Sequence, residues 1–301
     1  MAKRTLQVED LWRLARPAQP TLSPDGSQAC ASVTTYDMEA NKGRSRLWLF
    51  SAFGGEPRPL TEAGEKDGEP RWSPDGRWIA FVAKRGDDEE PQPYLIAPDG
   101  GEAKRIVKMP TGVSGLKWFP DSKRIAFISW VWPDARGYDD LAARLKAKKD
   151  SKVQAHVVEH SAYRYWDHWL SDGRVPRLFV ADLEGRRITD LFAGTPYELA
   201  RDDPSAPDYD ISPDGREIAF GWDPAEDKRF DHAYRLMALD LRTREFRELA
   251  KGLKRSCTSP AYSPDGKHLA FLARDLKRSP VAESRIAILD HDGDLVLLDE
   301  A

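Results

Sequence analysis

The stretch that decides the fold is WSPDGRWIAF at residues 72–81. It recurs as WFPDSKRIAF at 118–127, ISPDGREIAF at 211–220 and YSPDGKHLAF at 262–271, with a weaker first copy, LSPDGSQACA, from Leu22. Successive copies begin 50, 46, 93 and 51 residues apart. The phrase has a mechanical reading. Proline presets φ for a turn, aspartate caps the turn through its own backbone, and glycine takes the left-handed position. The apolar run that follows, Trp78 to Val82 in the clearest copy, reads as a strand buried on at least one face.

A second phrase follows each copy: RLWLFSAFGGEPRPLT at 46–61, PYLIAPDGGEAKRIV at 93–107, PRLFVADLEGRRITDLF at 176–192, YRLMALDLRTREFRELA at 234–250 and SRIAILDHDGDLVLLDE at 284–300. Each is an apolar strand, a turn rich in Gly, Asp or Arg, and another strand. Two hairpins per unit give four antiparallel strands, and four strands at a period of about 45–50 residues are the pattern of β-propeller blades. The fold class is therefore all-β. Five blades are expected, over 17–61, 62–108, 109–192, 193–250 and 251–301, after an N-terminal segment 1–16. Five blades fit either a ring of their own or part of a larger one.

The 93-residue interval holds a single second phrase, so it reads as one blade carrying an insertion at 133–175. Its first half, GYDDLAARLKAKKDSK, suits a helix, with Asp139 and Asp140 early and Lys146, Lys148 and Lys149 late, as the macrodipole favours. Leu141 and Leu145 form only a thin apolar stripe. The second half is dense in aromatics, and long structured insertions are often functional. Arg136, Tyr138, Tyr163, Arg164, Trp166 and Trp169 are the residues expected near a substrate-access route or a domain interface.

Net charge is −4, with 40% hydrophobic and 32% charged residues. That balance suits a globular protein and favours neither nucleic acid nor an anionic membrane. The opening MAKRTLQVEDLWRL lacks a signal-peptide core, and no stretch approaches the ~18 apolar residues of a membrane span. Cys30 and Cys257 are too few for a disulfide framework and are expected as buried free thiols, which points to a cytoplasmic setting.

No catalytic residue emerges. His156-Val157-Val158-Glu159-His160 matches H-x-x-E-H, but the paired valines favour a strand, where the histidines would stand roughly 13 Å apart, so no metal is expected. G-x-S-x-G is absent, and Ser114 opens a strand with the wrong spacing around it. Gly54-Gly55 and Gly100-Gly101 are hairpin turns and not phosphate cradles, so no cofactor is expected. The tryptophans at repeat positions, among them Trp48, Trp72, Trp78 and Trp118, read as packing residues.

The W-S-P-D-G-x-x-I-A-F phrase with its L-x-x-x-x-x-G-G-E-x-x-x-L-T hairpin resembles the propeller of prolyl-oligopeptidase-type (S9) serine peptidases, and also the TolB propeller. The opening TLQVEDLWRL leading through Arg16-Pro17, and AYRYWDHWLSDGRVPRLFVADL after the insertion, resemble bacterial acylaminoacyl peptidases. That resemblance implies a ring of seven blades followed by an α/β-hydrolase domain with a Ser-Asp-His triad, and an N-terminal segment that touches that domain. It implies short, N-blocked peptide substrates sized by the propeller. The match stops at blade five, so no triad residue transfers to this chain, and its role would be steric gating. The alternative is a stand-alone TolB-like scaffold for protein–protein interaction. Exposed flanks of an incomplete ring would favour association, so a homo-oligomer is a further expectation.

Overall fold

The computed structural model describes residues 4–153, 155–159, 163–166, 168–225, 232–276 and 283–298. Four of the five repeat turns use one set of hydrogen bonds. The serine Oγ donates to the aspartate two residues on, at 2.6–2.7 Å, in Ser23–Asp25, Ser73–Asp75, Ser212–Asp214 and Ser263–Asp265. The same Oγ accepts an N–H where the next strand begins, as from Trp78, just before Ile79, to Ser73 at 3.0 Å. Gly26, Gly76, Gly215 and Gly266 hold φ between 68° and 72°, which an L side chain resists. In the third copy Phe119 and Ser122 replace the serine and the glycine. Asp121 still accepts from the Lys123 and Arg124 N–H groups, and Ser122 itself takes φ 56°.

Five antiparallel sheets follow in chain order. Blade one contains the short edge segments Arg16–Pro17 and Thr21–Leu22, both pairing with Gln28–Asp37, then Lys42–Ser51 and Arg58–Pro59. Blade two contains Gly68–Trp72, Ile79–Ala83, Gln92–Ala97 and Gly100–Arg105. Blade three contains Ser114–Trp118, Arg124–Val131, Val175–Asp182 and Ile188–Asp190. Blade four contains Tyr209–Ile211, Glu217–Trp222, Arg235–Asp240 and Phe246–Glu248. Blade five contains Arg255–Tyr262, His268–Asp275, Ser284–Asp290 and Leu295–Leu297.

The core is divided among the blade-to-blade interfaces. Cys30, Leu47 and Leu49 meet Trp72, Ile79 and Phe81. Ala80 and Val82 meet Leu116 and Phe127. Ile128 and Leu178 meet Tyr209, Ile218 and Phe220. Ala219 and Leu236 meet Cys257 and Phe271. A strand inside such a stack is covered on both faces, which is why Ile79–Ala83 is an unbroken apolar run. Blade five is covered on one face only. Ile286, Val296 and Leu298, on the opposite face, are 48%, 55% and 47% exposed.

Polar clasps tie the innermost strands together. Lys117 of blade three donates to Tyr209 O (2.6 Å) and Asp210 Oδ1 (2.7 Å) of blade four. Asp210 Oδ2 accepts the Tyr262 N–H of blade five at 2.8 Å. Tyr209, fully buried, donates from its hydroxyl back to Gly115 O at 2.6 Å. The repeat turns also interlock at one end of the stack. A side chain added at Gly76, Gly215 or Gly266 would touch Pro24, Pro120 or Pro213 of the preceding turn.

The insertion leaves from the opposite end, between the second and third strands of blade three. Its helix spans Tyr138–Asp150, with Gly137 at the N-cap. Leu141 anchors it to the core layer between blades two and three, while Lys149 donates to Glu89 of blade two at 2.7 Å. Ala155, His156, Val157, Val158 and Glu159 do not form the expected strand. Val157 is 78% exposed, and His156 is held by ring stacking on Trp169 and not by a backbone ladder. The aromatic half forms a two-residue hairpin, Arg164–Tyr165 with His168–Trp169. At the N-terminus, a four-residue helix, Asp10–Arg13, leans Trp12 edge-on against Tyr36 of blade one, with ring centres 5.6 Å apart. Among the described residues no helix is long and apolar enough to cross a membrane.

Candidate functional site at the axial cavity

The innermost strands of blades two, three and five carry the same irregularity. Their pairing slips between Gly68 and Arg71, between Ser114 and Lys117, and between Thr258 and Ala261. The residue with positive φ is Glu69 (49°), Gly115 (62°) and Ser259 (53°), each three positions before Trp72, Trp118 and Tyr262 of the repeat phrase. A bulge inserts one extra residue and re-aims the side chains around it. Here it sends Glu69 across to blade three, where Oε2 accepts the Gly115 N–H at 2.7 Å. Arg71 answers by donating from Nε to Leu116 O (3.2 Å), and Trp118 Nε1 donates to Arg71 O (2.9 Å).

The bulges of blades two and three border a cavity of about 920 Å³. Gln19 of blade one, Glu69 of blade two, Gly115 of blade three and Ser205 on the approach to blade four all line it, so four consecutive blades converge there. The cavity therefore lies at the axis, at the end opposite the interlocked turns. Its lining carries four carboxylates (Glu69, Glu90, Asp172, Asp203) and four permanent cations (Arg71, Lys148, Arg174, Arg201). A lining balanced in charge suits a ligand bearing both signs or neither, such as a peptide, better than a polyanion.

Burial sets the proton affinities. It raises the Glu69 carboxyl above the usual carboxylate range, against the Gly115 N–H and Arg71, which pull it down. Burial likewise raises Asp208, which closes a capping box with Ser205 beside the cavity. Asp172 is also pushed up by burial, but Lys148 and Arg174 together hold it below the usual range. Perturbed carboxyls in a cleft mark functional candidates. Three cavity-lining hydroxyls are already engaged: Thr111 pairs with Ser129 Oγ at 2.7 Å, Ser129 donates to Gly112 O (2.6 Å) and Ser205 donates to Asp208.

The insertion overhangs the mouth. Trp169 lines the cavity and stacks on His156, with ring centres 4.0 Å apart and planes 9° apart. Tyr163 tilts against Trp169 at 6.1 Å, and the Arg164 guanidinium sits over the same ring at 5.2 Å. Trp166 is at the hairpin tip, 81% exposed. Arg136 and Tyr138 lie elsewhere: the Arg136 N–H donates to Asp140 at the helix start, and Tyr138 borders a separate apolar pocket. The structure thus gathers Tyr163, Arg164 and Trp169 on the hairpin whose tip carries Trp166, where Arg164 Nε donates to Trp166 O at 2.7 Å, and separates Arg136 and Tyr138 from them. His160 lies outside the described residues. Glu69, Arg71, Arg201 and Asp203 were not singled out in the sequence; the one available signal was a Glu-Pro-Arg triplet just before a repeat phrase.

No protein-family model matches the chain. Among curated proteins it is 28% identical over 281 residues to dipeptidyl-peptidase 5 of Porphyromonas endodontalis, covering 89% of this chain and 38% of that one. It is 27% identical over 218 residues to a Bacillus subtilis peptidase, YuxL, covering 72% and 31%. Among solved structures, an acylaminoacyl peptidase of Pyrococcus horikoshii matches with a TM-score of 0.67 at 16% identity, over 95% of this chain and 39% of that one. TolB of Acinetobacter baumannii matches with a TM-score of 0.51 at 18% identity, over 95% and 55%. The chain spans about two fifths or less of the length of these curated relatives. The structural likenesses carry the fold, and the sequence relatives carry the link to peptidases. The resemblance to the propeller portion of S9-type peptidases is borne out, and the chain is a peptidase-related β-propeller.

Proposed function

We propose that this chain is the propeller portion of a serine oligopeptidase of acylaminoacyl-peptidase type, and that it admits short, N-blocked peptides to a C-terminal α/β-hydrolase domain lying outside these residues. The observation that carries the reading is the axial cavity, lined by the innermost strands of blades two and three and overhung by the hairpin of Arg164–Tyr165 and His168–Trp169. The peptidase relatives give it its context. An opening framed by rigid sheets acts by size: an extended peptide enters, while a folded protein is excluded by its bulk. Tyr163, Arg164 and Trp169 would then set the entrance, with Glu69 and Arg71 offering opposite charges deeper in. Arg136, Tyr138 and Trp166 remain candidates for the interface with the hydrolase domain, together with segment 1–16, where Leu6 and Val8 are exposed.

The test has two arms. The chain alone, assayed with a blocked chromogenic amino acid, is expected to be inert, and turnover above background refutes the proposal. In the full-length natural protein, Trp169→Ala is expected to alter KM for longer peptides more than for a single blocked residue. An equal effect on both, or none, removes the gating role. The TolB likeness supports a second reading, a scaffold that binds a partner protein. A natural reading frame that ends close after Ala301 would favour it, and a frame that goes on to encode G-x-S-x-G would exclude it.

A further inference from the structure

The residue just before the repeat phrase lies on the innermost strand, and it is Arg71 in blade two, Lys117 in blade three and Asp210 in blade four. From this position each cation reaches the same place in the next blade. Arg71 Nε donates to Leu116 O at 3.2 Å, and Lys117 Nζ donates to Tyr209 O at 2.6 Å. Leu116 and Tyr209 each stand two positions before their own phrase. Lys117 also finds a carboxylate, Asp210 Oδ1, at 2.7 Å. For Arg71 the matching residue in the next blade is Lys117, a second cation. The clasp that an acid closes between blades three and four therefore lacks its acid between blades two and three.

The other three permanent cations of the axial cavity are paired. Lys148 and Arg174 share Asp172 at 2.5 and 2.8 Å, and Arg201 holds Glu198 at 2.9 Å. Arg71 lines the same cavity and makes no ion pair among the described residues. Its Nη1 donates to Pro70 O at 2.9 Å, and this bond and the one to Leu116 O hold the guanidinium in one orientation. Nη2 donates to no protein atom among the described residues and is not sealed from solvent. Glu69, two residues earlier, feels the Arg71 charge, but its Oε2 is spent on the Gly115 N–H and burial favours its protonated form. A fixed guanidinium with N–H groups to spare matches a planar carboxylate.

We propose that Arg71 receives a carboxylate of a short peptide held in the axial cavity. The inference rests on the gating reading, which brings a peptide there. Val113, Ile128, Trp130 and Leu170 give the body of such a peptide an apolar wall. Glu90, Asp172 and Asp203 in the same lining select a single carboxylate over a polyanion. The carboxylate can be the C-terminus or an acidic side chain, and the probes separate the two.

Acetyl-Ala-Ala carries a terminal carboxylate and acetyl-Glu-Ala-amide a side-chain one; acetyl-Ala-Ala-amide and acetyl-Gln-Ala-amide are their neutral counterparts. Each is titrated into the chain as it stands, by calorimetry and ligand-observed NMR. At least one acid is expected to bind roughly tenfold more tightly than its neutral counterpart, and which acid does so identifies the source. Higher ionic strength should narrow the gap. Arg71→Gln, which keeps a donor for Leu116 O, is expected to bring the acids down to the affinity of the neutral peptides and to leave the neutral peptides unchanged. Should it fail to fold, by circular dichroism, Arg71→Lys decides: it keeps the charge and loses the planar fork, and is expected to bind the preferred acid severalfold more weakly than the parent does. Equal binding of acids and neutral peptides by the parent, no binding of any probe at millimolar concentration, or an acid affinity unchanged in the Arg71 variant overturns the proposal. None of these results touches the gating reading, which stands or falls on the KM split of Trp169→Ala in the full-length protein.

Discussion

Asp210→Ala is the sharpest test of how the blades are held together. The carboxylate takes Lys117 Nζ from blade three on Oδ1 at 2.7 Å and the Tyr262 N–H from blade five on Oδ2 at 2.8 Å. One side chain therefore joins three blades. The Lys117 and Asp210 side chains are 23% and 22% exposed, so the pair lies between the surface and interior regimes. A hydrogen bond to a charged group is worth about 1.5–3 kcal/mol when dry, and partial exposure reduces the Lys117 contribution to about 1 kcal/mol. Leaving the Tyr262 N–H without its acceptor costs about 1–2 kcal/mol. The expected loss is about 2–3 kcal/mol, read as a lower urea midpoint by tryptophan fluorescence or a Tm lower by about 5–10 °C. Asp210→Asn keeps one acceptor oxygen and should lose about half as much. A double-mutant cycle with Lys117→Met should show a coupling of about 1 kcal/mol. An Asp210→Ala protein within about 0.5 kcal/mol of its parent would refute the clasp as a source of cohesion, since that is the range of an ordinary surface change.

Three further outcomes are expected. Because burial raises the Glu69 carboxyl, the folded state holds its proton more tightly than the unfolded chain, and this site's contribution to stability falls as pH rises through its folded value. Glu69→Gln should therefore gain stability relative to the parent between acidic and neutral pH, in melting curves recorded across that range, and a constant difference would contradict the burial argument. Burial pushes the Cys30 and Cys257 thiols up to about 12, so neither should react with a disulfide reagent near neutral pH until the chain is unfolded, and fast labelling of the native protein would contradict their placement. Ile286→Glu combined with Val296→Lys places opposite charges on the uncovered face of blade five, where both residues are about half exposed. The pair should reduce any concentration-dependent association seen by light scattering, and unchanged association would assign that contact to another surface.

The architecture was legible because the repeat phrase couples a turn whose chemistry is unambiguous to a strand of fixed length. The insertion helix was legible from its charges, and Leu141, half of a stripe too thin to define a face, is what docks it. The site was only partly legible. Trp169 lines the cavity, with Tyr163 and Arg164 packed against its ring, but the thirteen-residue helix sets Arg136 and Tyr138 apart from them, and sequence spacing gives no hint of that separation. Glu69 and Arg71 read as turn-flanking charges. A one-residue bulge, unmarked by glycine at Glu69, places them beside the axis. Only the Gly115 copy of the bulge carries the residue type that would have signalled it.

The proline-to-glycine stacking of the repeat turns has a consequence for how such a molecule can diversify. Lengthening any one of those turns would unseat its neighbours around the whole rim, so that border should keep a constant length from one relative to the next. Novelty is confined to the other border, where hairpins end freely and where more than forty residues have already been accommodated within one blade without disturbing its pairing.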